Sequence, residues 1–292
     1  MRIVVLITII FLFCSSMLFH MEALGVETRT KKQKQNWSIN TCIAMVGDDP
    51  FGALAYAYEW QKQEHSYQAQ RCQALALLYT GDEATAAKML DELAQRAQNS
   101  FSSHNKGEIL SYARIAAEAA SAWLALGKVK KAQKIAAYGL SLVPNNQALL
   151  ILQARALLLQ GKMSQVVESL TPLLYQNQKD EQKDLKKSYT KSYRNLHGKI
   201  SAQVFVILAS AEQKMGHLNA ALDYIQQAIY MNPQDSVALL ERGIIREQRG
   251  DMTGAIQDWQ KVLEVAPDSH EANMAQQDLD VMAADPDSPD LP

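Results

Sequence analysis

The sequence predicts an all-α solenoid of stacked helix pairs, and three observations carry that expectation. Composition favours helix, with Ala, Leu and Gln abundant, only 8 prolines in 292 residues and few β-branched runs beyond the N-terminus. Small residues return at one fixed distance: Gly47 to Gly81, Gly127 to Gly161 and Gly216 to Gly250 are each 34 apart, and so are Pro233 and Pro267. Two gaps are longer, 46 from Gly81 to Gly127 and 55 from Gly161 to Gly216, and each reads as one period plus an insertion. Between these markers apolar residues recur at helical spacing.

The chain opens MRIVVLITIIFLFCSSMLFHMEALG. One positive charge, Arg2, precedes an apolar run from Ile3 to Phe13, and the small residues Ala23 and Gly25 flank Leu24. That is the pattern of a secretory signal peptide over residues 1–25, cleaved after Ala23 or Gly25. The competing reading is an uncleaved inner-membrane anchor running to about Phe19. Phe13, directly before Cys14, speaks against a lipoprotein. Residues 26–35 read as a linker. The expected location is exported and periplasmic. Two cysteines then remain, Cys42 and Cys72, an even count in an oxidising compartment, which suggests a disulfide. The alternative is two buried small apolar residues that never meet. Their separation of 30, against a period of 34, places them on the first helices of adjacent units.

The array is expected to run from 36 to 282. In its last unit, Leu239, Leu240, Gly243 and Ile244 form a helical stripe. Gly250 accepts the left-handed conformation that ends that helix, and Asp251 is positioned to cap the next. Ala255, Trp259, Val262 and Leu263 follow, until Pro267 stops the second helix. The unit before repeats the scheme with Phe205, Leu208, Ala209, Gly216, Ala221, Ile225, Ala228 and Pro233. Two earlier units repeat it again, with Ala120, Trp123, Gly127, Ala132, Ala136 and Pro144, and with Leu150, Ala154, Leu157, Gly161, Val166, Leu170 and Leu173. Residues such as Ala209, Ala221 and Ala228 let helices approach, and larger side chains there would overpack. One helix pair cannot bury its own apolar face, so neighbouring pairs must stack. Insertions fall near 98–110 and 175–200. Ala272, Ala275, Leu279 and Met282 give a C-terminal capping helix its narrow apolar stripe. Residues 283–292 read as a disordered acidic tail.

The stretch LNAALDYIQQAIYMNPQD, Leu218 to Asp235, closely resembles the tetratricopeptide repeat family, whose 34-residue units are helix-turn-helix pairs with small residues at the crossings. The resemblance is strong over Ala202–Ser269, good over Ala113–Leu174, weaker over Tyr67–Ala97 and degenerate over Gln33–Ser66. It implies about six units wound as a right-handed superhelix. It also implies that the first helix of each unit lines a concave groove for a protein or peptide partner. The groove positions so implied are Arg114, Ala117, Ser121 and Leu124; Ile151, Arg155 and Leu158; Val206, Ser210 and Gln213; and Leu240, Ile244 and Glu247. Family members that clamp a peptide carboxylate use lysine and asparagine at such places, and those are missing here. The groove reads as apolar with isolated arginines, fitting an amphipathic helix or an extended apolar peptide. The alternative is that Ile151, Leu158, Val206 and Ile244 only pack against the next unit.

Nothing in the sequence points to catalysis. The six histidines form no pair at metal-binding spacing, and no zinc-protease, phosphate-loop, dinucleotide or nucleophile-elbow motif occurs. No cofactor or metal site is expected, and the chain is read as no enzyme. A net charge of -2 gives no reason to expect a nucleic-acid partner. The insertion Tyr175–Ile200 carries seven basic residues against three acidic, with Tyr175, Tyr189 and Tyr193 interleaved. Such a run is usually a solvated loop or helix, but it also supports a second function, contact with an envelope polymer or membrane surface. Membrane contact is otherwise expected only through the signal segment. A third reading is an accessory subunit of an envelope enzyme complex.

Overall fold

The computed structural model describes residues 36–96, 106–181 and 200–284. The signal peptide, the linker, the intervals 97–105 and 182–199 and the tail from 285 lie outside the described residues.

Between Ile39 and Ala284 the described residues form thirteen α-helices and no strand. They fall into six pairs and a cap. The pairs are α1 (Ile39–Asp48) with α2 (Pro50–Glu64), α3 (Tyr67–Thr80) with α4 (Glu83–Gln95), and α5 (Lys106–Ala125) with α6 (Val129–Leu142). Then come α7 (Gln147–Leu159) with α8 (Met163–Glu181), α9 (Ala202–Lys214) with α10 (Leu218–Met231), and α11 (Ser236–Gln248) with α12 (Met252–Val265). The cap is α13 (His270–Ala284), which takes in Ala283 and Ala284 from the stretch expected to be tail.

Local signals set these boundaries. Five periodic glycines, Gly81, Gly127, Gly161, Gly216 and Gly250, have φ between +66° and +90°. There a Cβ would strain the backbone, so glycine turns the chain between the two helices of a unit. Asp82 and Asp251 then cap the second helices by accepting from the amides of Thr85 and Gly254. The sixth glycine departs from the expected period. Gly47 lies inside α1 with no positive φ. The first turn is instead made by Asp49, which accepts from Gly52 N at 2.8 Å, with Pro50 opening α2. Of the interval 98–110, Lys106 to Leu110 are helical and begin α5, which runs to 20 residues.

The stacking follows from the small residues. Ala209, Ala221, Ala228, Ala255 and Ala154 are fully enclosed. One continuous cluster runs from Ile151 through Val166, Leu170, Leu208 and Ile225 to Ile245, and another from Ala74 through Leu90 and Ile115 to Leu149. In the cap, Ala272, Ala275, Leu279 and Met282 close the last cluster over Trp259. Cys42 of α1 and Cys72 of α3 are joined by a disulfide, with Cα atoms 5.8 Å apart and both residues buried. It ties the first two units together.

First helices pack on their counterparts: α1 on α3, α5 on α7, α7 on α9, α9 on α11 and α11 on α13. Between α3 and α5 the link is a two-pronged ion pair, in which Arg71 Nε donates to Glu118 Oε2 at 2.8 Å and Nη2 donates to Oε1. Each second helix instead wedges between its own first helix and the next. The first helices are therefore the closer-packed row, and their open side is the inner face of the array.

Candidate partner-binding face

Counting back from each turn glycine sorts the inner face. At ten residues before it stand Arg71, Ala117, Ile151, Val206 and Leu240. Ile151 and Leu240 are only 6% exposed and belong to core clusters, so they are not groove residues as expected. Arg71 at the same position is buried in its pair with Glu118. This position lies on the seam between units, where one first helix leans on the next.

At six residues before the glycine stand Leu75, Ser121, Arg155, Ser210 and Ile244, and at three before stand Leu78, Leu124, Leu158, Gln213 and Glu247. Ser121 and Arg155 are exposed, as is Arg114, about two turns nearer the start of α5. Leu124, Leu158, Val206, Ser210, Gln213, Ile244 and Glu247 are half-buried. Leu158 and Val206 rest on the central cluster, Leu124 on the N-terminal one and Ile244 on the last. Two of the polar positions are spent inside the molecule. Gln213 Nε2 donates to Gln248 Oε1 at 3.0 Å, and the Ser210 side chain hydrogen-bonds Glu241.

The most open apolar residues on this side lie two before the glycine and went unnoticed in the sequence. They are Tyr79 at 65% and Leu159 at 66% exposure, with the exposed Ala125 between them in the series. In the last two units the same place holds Lys214 and Gln248. The face thus changes character along the array: Leu78, Tyr79, Leu124, Leu158 and Leu159 make an apolar ridge over the second to fourth units, and polar groups follow. The signal that could have found the ridge was this column of aligned positions.

Charge is sorted in the same way. Burial pushes the carboxyl of Glu241 above the ordinary glutamate range, against the Ser210 hydrogen bond and the nearby Lys214 charge. Glu247 is raised by burial and by the charge of Asp278, and Asp278 is raised by burial. Among the described residues no three His, Cys, Asp or Glu side chains gather to hold a metal, and no helix is long and apolar enough to cross a membrane.

Residues 209–280 match the family model described as tetratricopeptide repeat. Over that stretch the chain is similar to the tetratricopeptide repeat family. The matched stretch spans the end of α9 through α13, where the glycine and proline period is unbroken. The fold is similar to a tetratricopeptide repeat protein from Parabacteroides merdae, at 14% identity and a TM-score of 0.59, over 84% of this chain and 85% of that one. It is also similar to a chain of the APC/C hetero-tetramer Cut9–Hcn1, at 12% identity and a TM-score of 0.58, over 82% of this chain. This chain spans 41% of that one's length. No curated protein sequence matches this chain.

Proposed function

We propose that the protein is an exported, non-enzymatic scaffold that holds a protein or peptide partner on the inner face of its first helices. The observation that carries this reading is the ridge over the second to fourth units, where Tyr79 and Leu159 leave large apolar side chains facing solvent beside the half-buried Leu124 and Leu158. Support for export is separate: the N-terminal segment has the order of a signal peptide, and the Cys42–Cys72 bond belongs to an oxidising compartment.

A photo-crosslinking residue at position 159 tests the groove, with Gln226, exposed on α10, as the control site. The expected result is a discrete crosslinked species from position 159 in the native host. Tyr79→Glu should abolish it without changing the melting curve. Crosslinking from position 226 alone, or capture indifferent to Tyr79→Glu, would discard the reading. Cell fractionation with N-terminal sequencing tests export.

A further inference from the structure

We propose that the first unit docks on an anionic phospholipid membrane, with Phe51 and Tyr58 of α2 entering the lipid interface and the basic residues before α1 drawn to the headgroups. This contact is independent of the groove, since it lies on a second helix and not on the row of first helices.

Register singles out the two aromatics. Every second helix buries a first residue and those four and seven places later, as in Ala53, Ala57 and Trp60 of α2 or Ala221, Ile225 and Ala228 of α10. Phe51 stands two before the first of these residues and Tyr58 five after it. At the same two places the other second helices carry Ala84 and Asp91, Lys130 and Ala137, Ser164 and Thr171, Asn219 and Gln226, and Thr253 and Gln260. Large apolar side chains at both places are thus peculiar to the first unit. Phe51 is 69% exposed and Tyr58 49%. They lie seven residues apart on one side of α2, about 10 Å along its axis. Ala55 lies between them and Lys62 follows one turn on, both exposed. α2 packs on α1 and α3, and among the described residues this stripe stays uncovered. Ile43 of α1 is a third large apolar residue that this unit leaves exposed.

Charge chooses the occupant. Of the four acids between Ile39 and Glu64, Asp49 caps α2 and Glu59 is paired with Lys62 at 2.5 Å. Glu64 accepts from Trp60 Nε1, about 150° round the helix from the stripe, which leaves Asp48. In residues 26–35 four cations, Arg29, Lys31, Lys32 and Lys34, stand against one acid, Glu27. Lys34 is five residues from the start of α1, so the covalent chain alone keeps this charge close to the first unit. Cleavage after Ala23 or Gly25 leaves residues 26–35 attached, and in the anchored alternative they join the bilayer to α1. Each basic residue near an anionic surface favours binding by about fivefold, and aromatic rings settle at the lipid interface. A second copy or a protein partner on the stripe would account for the aromatics and leave the cations without a role.

Flotation of the mature chain with vesicles tests the proposal. One preparation holds about one part phosphatidylglycerol to three of phosphatidylcholine, and the other phosphatidylcholine alone. The anionic vesicles should bind at least about tenfold more tightly. Phe51→Ser with Tyr58→Ser should lose at least about tenfold. Glutamine at positions 29, 31, 32 and 34 together should remove the preference for anionic lipid. Lys130→Ser with Ala137→Ser, the matching places on α6, should change nothing, and neither should Tyr79→Glu, which addresses the groove. Melting curves should stay unchanged throughout. In Tyr58→Trp, brominated phospholipid in the anionic vesicles should quench more fluorescence than in wild type, and this difference decides alone if the serine pair fails to fold. No binding, equal binding to both vesicles, or indifference to the serine pair or to the glutamine replacements would overturn the proposal. Binding that survives both sets of changes would move the contact to the basic insertion 175–200. A lipid-free dimer that the serine pair converts to monomer would also overturn it, because the stripe's occupant would then be a second copy.

Discussion

The indole of Trp259 occupies the space where a side chain at position 243 would begin. A Cβ on Gly243 would lie 2.3 Å from Trp259 Nε1 and 2.6 Å from Cδ1. Trp259 is fully buried and has no room to retreat. Alanine at 243 gains about 1 kcal/mol of helix propensity over glycine. The clash outweighs it, since overpacking a rigid core costs about 1–3 kcal/mol. Gly243→Ala should therefore destabilise. In a Trp259→Leu background the same substitution should cost much less. A double-mutant cycle by chemical denaturation measures the coupling, and equal costs in both backgrounds would refute the contact.

The second helix of the preceding unit, α10, offers a sharper comparison. Ala221 is completely enclosed in the central cluster, whereas Gln226, five residues on, is exposed. Ala221→Trp should destabilise by about 1–3 kcal/mol or block folding, while Gln226→Trp should lie within about 0.5 kcal/mol of wild type. Matching melting temperatures for the two variants would contradict the packing phase.

What the sequence made legible was whatever depends on a single residue's backbone chemistry. The turn glycines from Gly81 onward, the cap at Asp251 and the breaks at Pro233 and Pro267 each act locally, so their spacing gave the unit. Gly47 misled because a glycine on the period carries no sign of its φ; Asp49 and Pro50 make that turn instead. The inner face was only partly legible. Ile151 and Leu159 are both apolar residues of α7, about 80° apart around the helix at 100° per residue. Which one faces solvent depends on how far the neighbouring first helix leans over, and that is a property of the stack. Arg114 and Arg155 needed no such knowledge, because an arginine without a partner is expected at the surface.

The disulfide predicts a covalent mass and a stability. The unreduced protein should show Cys42 and Cys72 peptides linked, about 2 Da lighter than the two thiols, because forming the bond removes two hydrogens. Closing a loop of 30 residues stabilises by on the order of 3–4 kcal/mol in the chain-entropy model. Cys72→Ala should accordingly unfold the first two units at lower denaturant than wild type, with little effect on the last two. A single unchanged transition under reducing and oxidising conditions would show that the bond contributes nothing.

The last unit and the cap should respond to pH through Glu247 of α11 and Asp278 of α13. Glu247 stands above its ordinary value of 4.5 because of burial and then the Asp278 charge, and Asp278 stands above its ordinary 3.8 because of burial. An acid whose folded pKa is raised binds more protons folded than unfolded between its two values. In that window stability falls as pH rises and is recovered as pH falls. The unfavourable contribution is thus fully present at neutral pH, shrinks as pH drops through the raised values, and is gone near the ordinary ones. Glu247→Gln and Asp278→Asn should each stabilise at neutral pH. Both groups are partly exposed and screened by solvent, so the gain belongs with the ~0.2–1 kcal/mol typical of surface charge pairs. Acid also protonates other carboxylates, so the quantity to follow is the difference in melting temperature between variant and wild type. That difference should be positive at neutral pH and should close toward zero as pH approaches about 4. A difference that is constant across the range, or that widens on acidification, would show that the two carboxyls do not oppose the docking of the cap.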